Sequence, residues 1–232
     1  QDGMWGPEPG LGPQTVELRG DVVANRASAW IGEYAARRRS GAESRPFFLF
    51  VHFFDAHAPY TPPPPYDREY VGRAYDGELA YQDACLGKVL DALEQGGEAG
   101  RTLVWVVSDH GEGLGDHGES QHSIFLYDPT VRVVSILRPP PRDGRFRAGK
   151  PRLRIDAPAS LIDVAPTLCD LASVAGMPQS EGKSLRPLLA GGNGADPVYC
   201  ETLSPMLTTT GRRCARGARR REALRKLQPP GT

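Results

Sequence analysis

The sequence is poor in cysteine, and the four it has, Cys85, Cys169, Cys200 and Cys214, stand far apart with no C-x-x-C pair. That excludes a zinc knuckle and a disulfide scaffold. No apolar run approaches the roughly 18 residues that a membrane span requires. Gln1-Asp2-Gly3-Met4 has none of the marks of a signal peptide. No segment recurs at a fixed period, so repeat architectures are out as well. Net charge is also absent, 28 Lys and Arg standing against 28 Asp and Glu, in a composition that excludes only disorder and collagen. The neutrality is uneven. Eight basic residues and one Glu lie from Gly211 onward, leaving a preceding body with 20 basic against 27 acidic residues. Histidine is scarce too, and all five, His52, His57, His110, His117 and His122, fall between positions 52 and 122.

The stretch that carries most chemistry runs from Leu103 to Tyr127. Leu103-Val104-Trp105-Val106-Val107 suits a strand covered on both faces, and it releases directly into Ser108-Asp109-His110-Gly111-Glu112. The glycines that follow let backbone come close to an ion or an anion. Loops at strand ends are where open α/β sheets place their chemistry.

Taken in order, Gln1 to Gln14 is Gly- and Pro-rich and reads as a loop or a cut end. From about Thr15 to Arg39, Val23, Ala27, Trp30, Ile31 and Tyr34 fall at helical spacing, with Arg37, Arg38 and Arg39 suited to the last turn. Phe47 to Phe54 reads as a second buried strand, ending in His57-Ala58-Pro59, and the prolines 62 to 65 predict a rigid, extended exit. Leu79, Leu86, Val89, Leu90 and Leu93 predict a helix over Tyr75 to Gln95, stopped by Gly96-Gly97. Strand, helix, strand is the pattern of a right-handed βαβ unit, so the expected fold is α/β with a mostly parallel central sheet sandwiched by helices. Strands are further expected at Val131 to Leu137, Arg152 to Ile155 and Val198 to Glu201, and helices at Leu161 to Ala175 and Ser184 to Ala190. The domain so defined covers 15–205, with 206–232 a basic, solvated tail.

Among the histidines, His52 lies within the strand run and reads as a packed core residue, and His117 reads as a brace of the glycine loop. Asp109 and His110 are sharper. A carboxylate and an imidazole at the abrupt end of a buried strand need a charged or polar partner. A divalent cation is the natural one, and oxygen plus one imidazole suits Ca²⁺, Mg²⁺ or Mn²⁺. The alternative is a capping Asp with a hydrogen-bonded His. His57 and His122 are then candidates to neutralise or protonate an oxyanion beside the metal. Their alternatives are a turn-stabilising His before Pro59 and a surface His. Arg132 and Arg138 flank a strand and read as solvated side chains.

Phe48-Leu49-Phe50-Val51-His52-Phe53-Phe54-Asp55-Ala56-His57-Ala58-Pro59-Tyr60, then Ser108 to Glu119, then Leu126-Tyr127-Asp128-Pro129-Thr130-Val131-Arg132-Val133, resemble the middle and later motifs of the sulfatase family, in the alkaline phosphatase superfamily. Asp163-Val164-Ala165-Pro166-Thr167-Leu168 and Gly182-Lys183-Ser184-Leu185 resemble the helix and loop that follow there, so the likeness covers about Arg19 to Glu201. The resemblance implies a metal-dependent sulfuric ester hydrolase on an alkaline-phosphatase-like α/β fold. It matches Asp109 and His110 to metal ligands, His57 to the histidine that protonates the leaving oxygen, and His122 to a sulfate-binding position. It further implies paired aspartates and a Cys/Ser-x-Pro-x-Arg motif whose Cys or Ser becomes formylglycine. Neither occurs here, so the expectation is a fold incomplete at its N-terminus, with the formylglycine on a missing upstream residue. The alternatives are a phosphodiesterase or phosphonate monoester hydrolase on the same scaffold, or a non-catalytic remnant that binds anions. The expected partner is a sulfate or phosphate ester. Nucleic acid is not expected, because the body is acidic and no aromatics interleave the basic tail.

Overall fold

The computed structural model describes residues 17–122, 125–140, 154–192 and 197–202. The expected N-terminal loop, the start of the 152–155 strand and the basic tail lie outside the described residues. The chain divides into two compact units, Gln1–Leu103 and Val104–Thr232.

The first unit is built on two long helices, α1 (Gly20–Arg39) and α3 (Ala74–Gly96), with a single turn, α2 (Tyr66–Glu69), before the second. Small and apolar residues at helical spacing, Ala24, Ala27, Ile31, Tyr34 and Ala35, are buried on α1. On α3 the buried row is Tyr81, Cys85, Val89 and Leu93, together with Gly77 and Glu78. Leu79, expected on the core face, is 41 % exposed, because the row facing α1 runs through Tyr81 and Cys85 instead. Gly97, at φ 75°, ends α3 as expected.

A reciprocal bond ties the helices at one end. The Asp21 N–H donates to Tyr81 Oη at 2.8 Å, and the Tyr81 hydroxyl donates to Asp21 Oδ1 at 2.7 Å. The bond from Tyr81 lowers the Asp21 pKa, while burial, and then this carboxylate, raise that of Tyr81. Near the other end of α1, Trp30 stacks on Tyr34 and both meet the edge of Phe47, at 5.4 and 4.8 Å. Tyr34 donates to the Arg45 carbonyl at 2.7 Å, which fastens the chain entering Phe47.

Three expectations for this unit are corrected. Residues 47–54 carry no regular secondary structure and belong to no ladder among the described residues, and Phe48 and Phe50 are 77 % and 71 % exposed. His52 is exposed, between the rings of Phe50 and Phe54, and is no core histidine. The proline run does not leave as an extended rod, since Pro65 caps α2 and its carbonyl accepts the Arg68 and Glu69 N–H groups.

In the second unit β1 (Val104–Val107) pairs antiparallel with β2 (Ser135–Arg138), Val104 opposite Arg138 and Val107 opposite Ser135. Among the described residues this is the whole sheet, in place of the expected parallel one. A parallel return needs a long crossover, usually helical. Among the described residues between Ser108 and Val134 there are a 3-10 turn at Asp116–Gly118 and the single turn α4 (Asp128–Val131), which ends what was expected to be the start of a strand. All four β1 residues are half-buried, not covered on both faces as expected. Residues 197–202 carry no strand either.

Downstream, a 3-10 turn (Leu161–Asp163) leads into α5 (Val164–Ala172), and α6 (Arg186–Leu189) follows. Ser160 and Asp163 form a capping box, and the other Asp163 oxygen accepts the Lys183 N–H at 2.9 Å. The fully buried Thr167 accepts the Leu185 N–H at 2.8 Å, and Asp170 takes Ser184 and Arg186 at 2.6 and 2.8 Å. The segment 182–186 is thus sewn to α5 by side chains from three of its turns.

Gly20 opens α1 where a Cβ would stand 2.7 Å from Asp55 Oδ2 and 3.3 Å from Cys85 Sγ. Gly20→Ala is therefore expected to destabilise the chain by about 1–3 kcal/mol, the usual range for overpacking. A lower urea midpoint with an unchanged slope would bear this out, and an unchanged midpoint would refute it.

Candidate active site

After Val107 the chain leaves the ladder, though Ser108 holds the end of β2 on both sides: its N–H donates to the Val134 carbonyl at 3.1 Å and its hydroxyl oxygen accepts the Val134 N–H at 2.9 Å. Asp109 follows, its side chain 81 % exposed, accepting the His110 N–H at 3.0 Å. Gly111 then passes so close to α4 that a Cβ would collide with the Pro129 carbonyl oxygen, and its N–H donates to Thr130 at 2.9 Å. The loop folds back further through Gly113 N–H to Gln121 O at 2.7 Å and Gly115 N–H to Glu119 O at 2.9 Å. His117, in a left-handed conformation at φ 55°, stacks on Tyr127 at 3.9 Å and braces this loop.

His110 Nδ1 lies 2.7 Å from the Gly111 carbonyl oxygen. A carbonyl only accepts, so Nδ1 carries the proton and Nε2 keeps its lone pair in the neutral ring. That nitrogen is 3.7 Å from Asp109 Oδ1. An imidazole oriented by a backbone carbonyl beside a solvent-open carboxylate is a usual arrangement of metal ligands. The pair fits two positions of a divalent cation's shell. It does not fill one, since no group of three or more His, Cys, Asp or Glu side chains among the described residues is arranged to hold a metal.

The His122 ring lies against that of His110, with 3.8 Å between centroids. Its Nδ1 is 3.2 Å from Glu112 Oε1, and the Glu112 side chain is only 4 % exposed. The same carboxylate oxygen accepts the Gly113 N–H at 3.2 Å. The loop thus groups Asp109, His110, Glu112 and His122, three of them sequence candidates. Glu112 was not singled out. Its signal was the cluster of polar side chains directly after Val107, in which it stands two places beyond His110. The buried Glu119, also unremarked, accepts the Phe125 N–H at 3.3 Å and closes the loop on its far side.

His57 belongs to the first unit. It sits in the turn after Asp55, its Nδ1 2.8 Å from the Ala58 carbonyl oxygen and its ring 4.5 Å from that of Phe54. Two carboxylates flank this turn. Asp55 lies against Gly20 at the start of α1, and Glu78 of α3 receives the Thr61 N–H at 2.7 Å. Burial raises both pKa values above the ordinary carboxylate range, each with one oxygen lacking a hydrogen-bond partner.

The family model described as Sulfatase matches residues 19–174. The steryl-sulfatase of Mus musculus is 33 % identical over 162 residues, which cover 64 % of this chain and 25 % of that protein. Of solved structures, the protein yidJ of Bacteroides fragilis superposes with a TM-score of 0.64 at 22 % identity, covering 75 % of this chain and 42 % of the other. The phosphonate monoester hydrolase of Agrobacterium radiobacter gives 0.62 at 23 %, covering 78 % and 45 %. The chain therefore spans between a quarter and just under half of the length of these proteins.

Two outcomes follow from the buried carboxylates. Glu112→Ala removes the acceptor for His122 and is expected to cost roughly 1.5–3 kcal/mol. Imidazole ¹⁵N shifts should then show Nδ1 losing its preference for the proton, and unchanged His122 shifts would refute the pairing. Glu78 has a raised folded pKa, so it stabilises the fold fully below its unfolded value and loses that contribution as pH rises through the folded one. Denaturation of the native chain against Glu78→Gln should show the native advantage falling as pH rises from about 4 toward neutrality; an advantage that grew with pH would contradict it.

Proposed function

The chain belongs to the sulfatase family, within the alkaline-phosphatase-like superfamily, and on that premise we propose that it supplies the later metal ligands and the leaving-group acid of a sulfuric ester hydrolase. The family is enzymatic, its named members being sulfatases. The observation that carries the reading is the donor pair at the end of β1, where His110 Nε2 and Asp109 Oδ1 stand 3.7 Å apart in an open loop. Asp109 and His110 would hold a divalent cation, Ca²⁺, Mg²⁺ or Mn²⁺. Once bound, such an ion supplies positive charge to the ester oxygens.

The chain's own residues divide the remaining work. His122, oriented through Nδ1 by Glu112, directs its other nitrogen toward the sulfuryl oxygens and neutralises charge there. His57 gives its proton to the departing alcohol oxygen, lowering the barrier to C–O–S cleavage at sulfur. Attack on sulfur requires an activated hydroxyl, for which the family uses formylglycine. No Cys or Ser of this chain is followed by x-Pro-x-Arg, so the nucleophile belongs to another segment.

A second reading has one finding in its favour, the superposition on a phosphonate monoester hydrolase. At that identity the likeness speaks for the scaffold, and an Asp-His donor pair serves phosphate and sulfate esters alike. A non-catalytic, anion-binding role is the remaining alternative. Among the described residues no helix is long and apolar enough to cross a membrane.

The test is hydrolysis of 4-nitrophenyl sulfate against bis-4-nitrophenyl phosphate by a protein in which this chain follows a nucleophile-bearing segment. Faster turnover of the sulfate is expected, together with its loss on chelation and a fall in kcat of about 10²–10⁴-fold in His57→Ala. The 232-residue chain by itself should turn over neither. Preference for the diester would establish the second reading. Turnover indifferent to chelator and to His57→Ala would refute the assigned roles.

A further inference from the structure

We propose that Glu78 is a positioning residue for His57: its buried carboxylate on α3 takes the Thr61 N–H at the end of the 56–61 turn and so sets the direction in which the imidazole is presented. The proposal rests on the reading of His57 as the leaving-group acid for its catalytic meaning, and on geometry alone for the brace.

Glu78 is 6 % exposed and lies on the helix row that otherwise carries Tyr81, Cys85, Val89 and Leu93. An apolar residue there would fill the space without the cost of stripping a carboxylate of water. The donor it meets instead comes from the turn: the Thr61 N–H reaches Oε1 at 2.7 Å. Thr61 stands four residues beyond His57, so the side chain pins the far end of the turn to α3.

The turn needs such an anchor. Ala56 has φ 66°, a left-handed conformation that a residue with a Cβ adopts only when its surroundings over-determine it. Just before it, Asp55 lies against the start of α1, its Oδ2 2.7 Å from where a Cβ on Gly20 would stand. Within the turn, His57 makes its own contacts to the Ala58 carbonyl and the Phe54 ring, both of them local in sequence. Local contacts orient the ring relative to its neighbours in the turn. The bond across 17 residues to α3 orients the turn relative to the helix pair.

The experiment uses the full chain and reads two things by NMR: hydrogen exchange of the Thr61 amide, and the ring resonances of His57. In the native chain the Thr61 amide is expected to exchange at least about tenfold slower than an unstructured amide. Glu78→Ala should return it to the unstructured rate and move the His57 ring resonances, while the Val89 and Leu93 amides of α3 keep their protection. Glu78→Gln, whose carbonyl still accepts, should preserve both signatures. An unprotected Thr61 in the native chain overturns the proposal. So do unchanged Thr61 and His57 signals in Glu78→Ala, or their loss in Glu78→Gln as fully as in Glu78→Ala. If Glu78→Ala does not fold, the native chain and Glu78→Gln decide the matter. None of these readouts involves turnover. A failed hydrolysis test therefore removes the catalytic role of His57 and leaves the brace standing, whereas lost exchange protection removes the brace alone.

Discussion

Removing a carboxylate from water costs several kcal/mol unless donors replace its hydration. The buried glutamates Glu78, Glu112 and Glu119 meet that demand with donors from the loops that carry the histidines. In the first unit this ties Thr61, at the far end of the His57 turn, to α3. In the second it pulls His122 and Gly113 onto Glu112, and Phe125 onto Glu119. Glu78 reaches out from a helix, whereas Glu112 and Glu119 sit within the loop whose folding they hold together.

The same demand explains why the loop after β1 is rich in glycine. Its backbone N–H groups find their acceptors in the carbonyls of Thr130 in α4 and of Gln121 and Glu119 in the loop itself, and such close backbone approach leaves no room for a Cβ at Gly111. Asp109 and His110 consequently stay on the open side, with His110 fixed in one tautomer by the carbonyl of Gly111. An exposed, pre-oriented donor pair next to a buried Glu–His pair can bind charge on one side and keep its geometry on the other.

Much of this was legible beforehand because it is local. The long helices appear within a few residues of their expected bounds, since an apolar stripe and a Gly stop are properties of neighbouring residues. The grouping of His110 with His122 was expected from their common loop, and the stacking of His117 on Tyr127 is the brace that the glycine setting suggested. Illegible were Glu78 and Glu112, since a glutamate on a helix or in a loop is by default solvated, and only the position of distant N–H groups or of His122 makes burial worthwhile. The strand-like run 47–54 misled for a related reason: a continuous apolar run reports a tendency to pair, while pairing itself needs a partner at the right distance, and none is found among the described residues.

By itself the amino-acid order determined where the helices lie, that the polar Asp-His pair follows a short apolar strand, and which family the motifs belong to, because periodicity, composition and ordered motifs are all written along one dimension. Only the tertiary structure decided that β2 returns antiparallel to β1, that His52 faces solvent, and that two unremarked glutamates meet the Thr61 N–H and the His122 ring. Those outcomes depend on which donors and acceptors meet across tens of residues, and on whether burying a charge is offset by the hydrogen bonds it makes there.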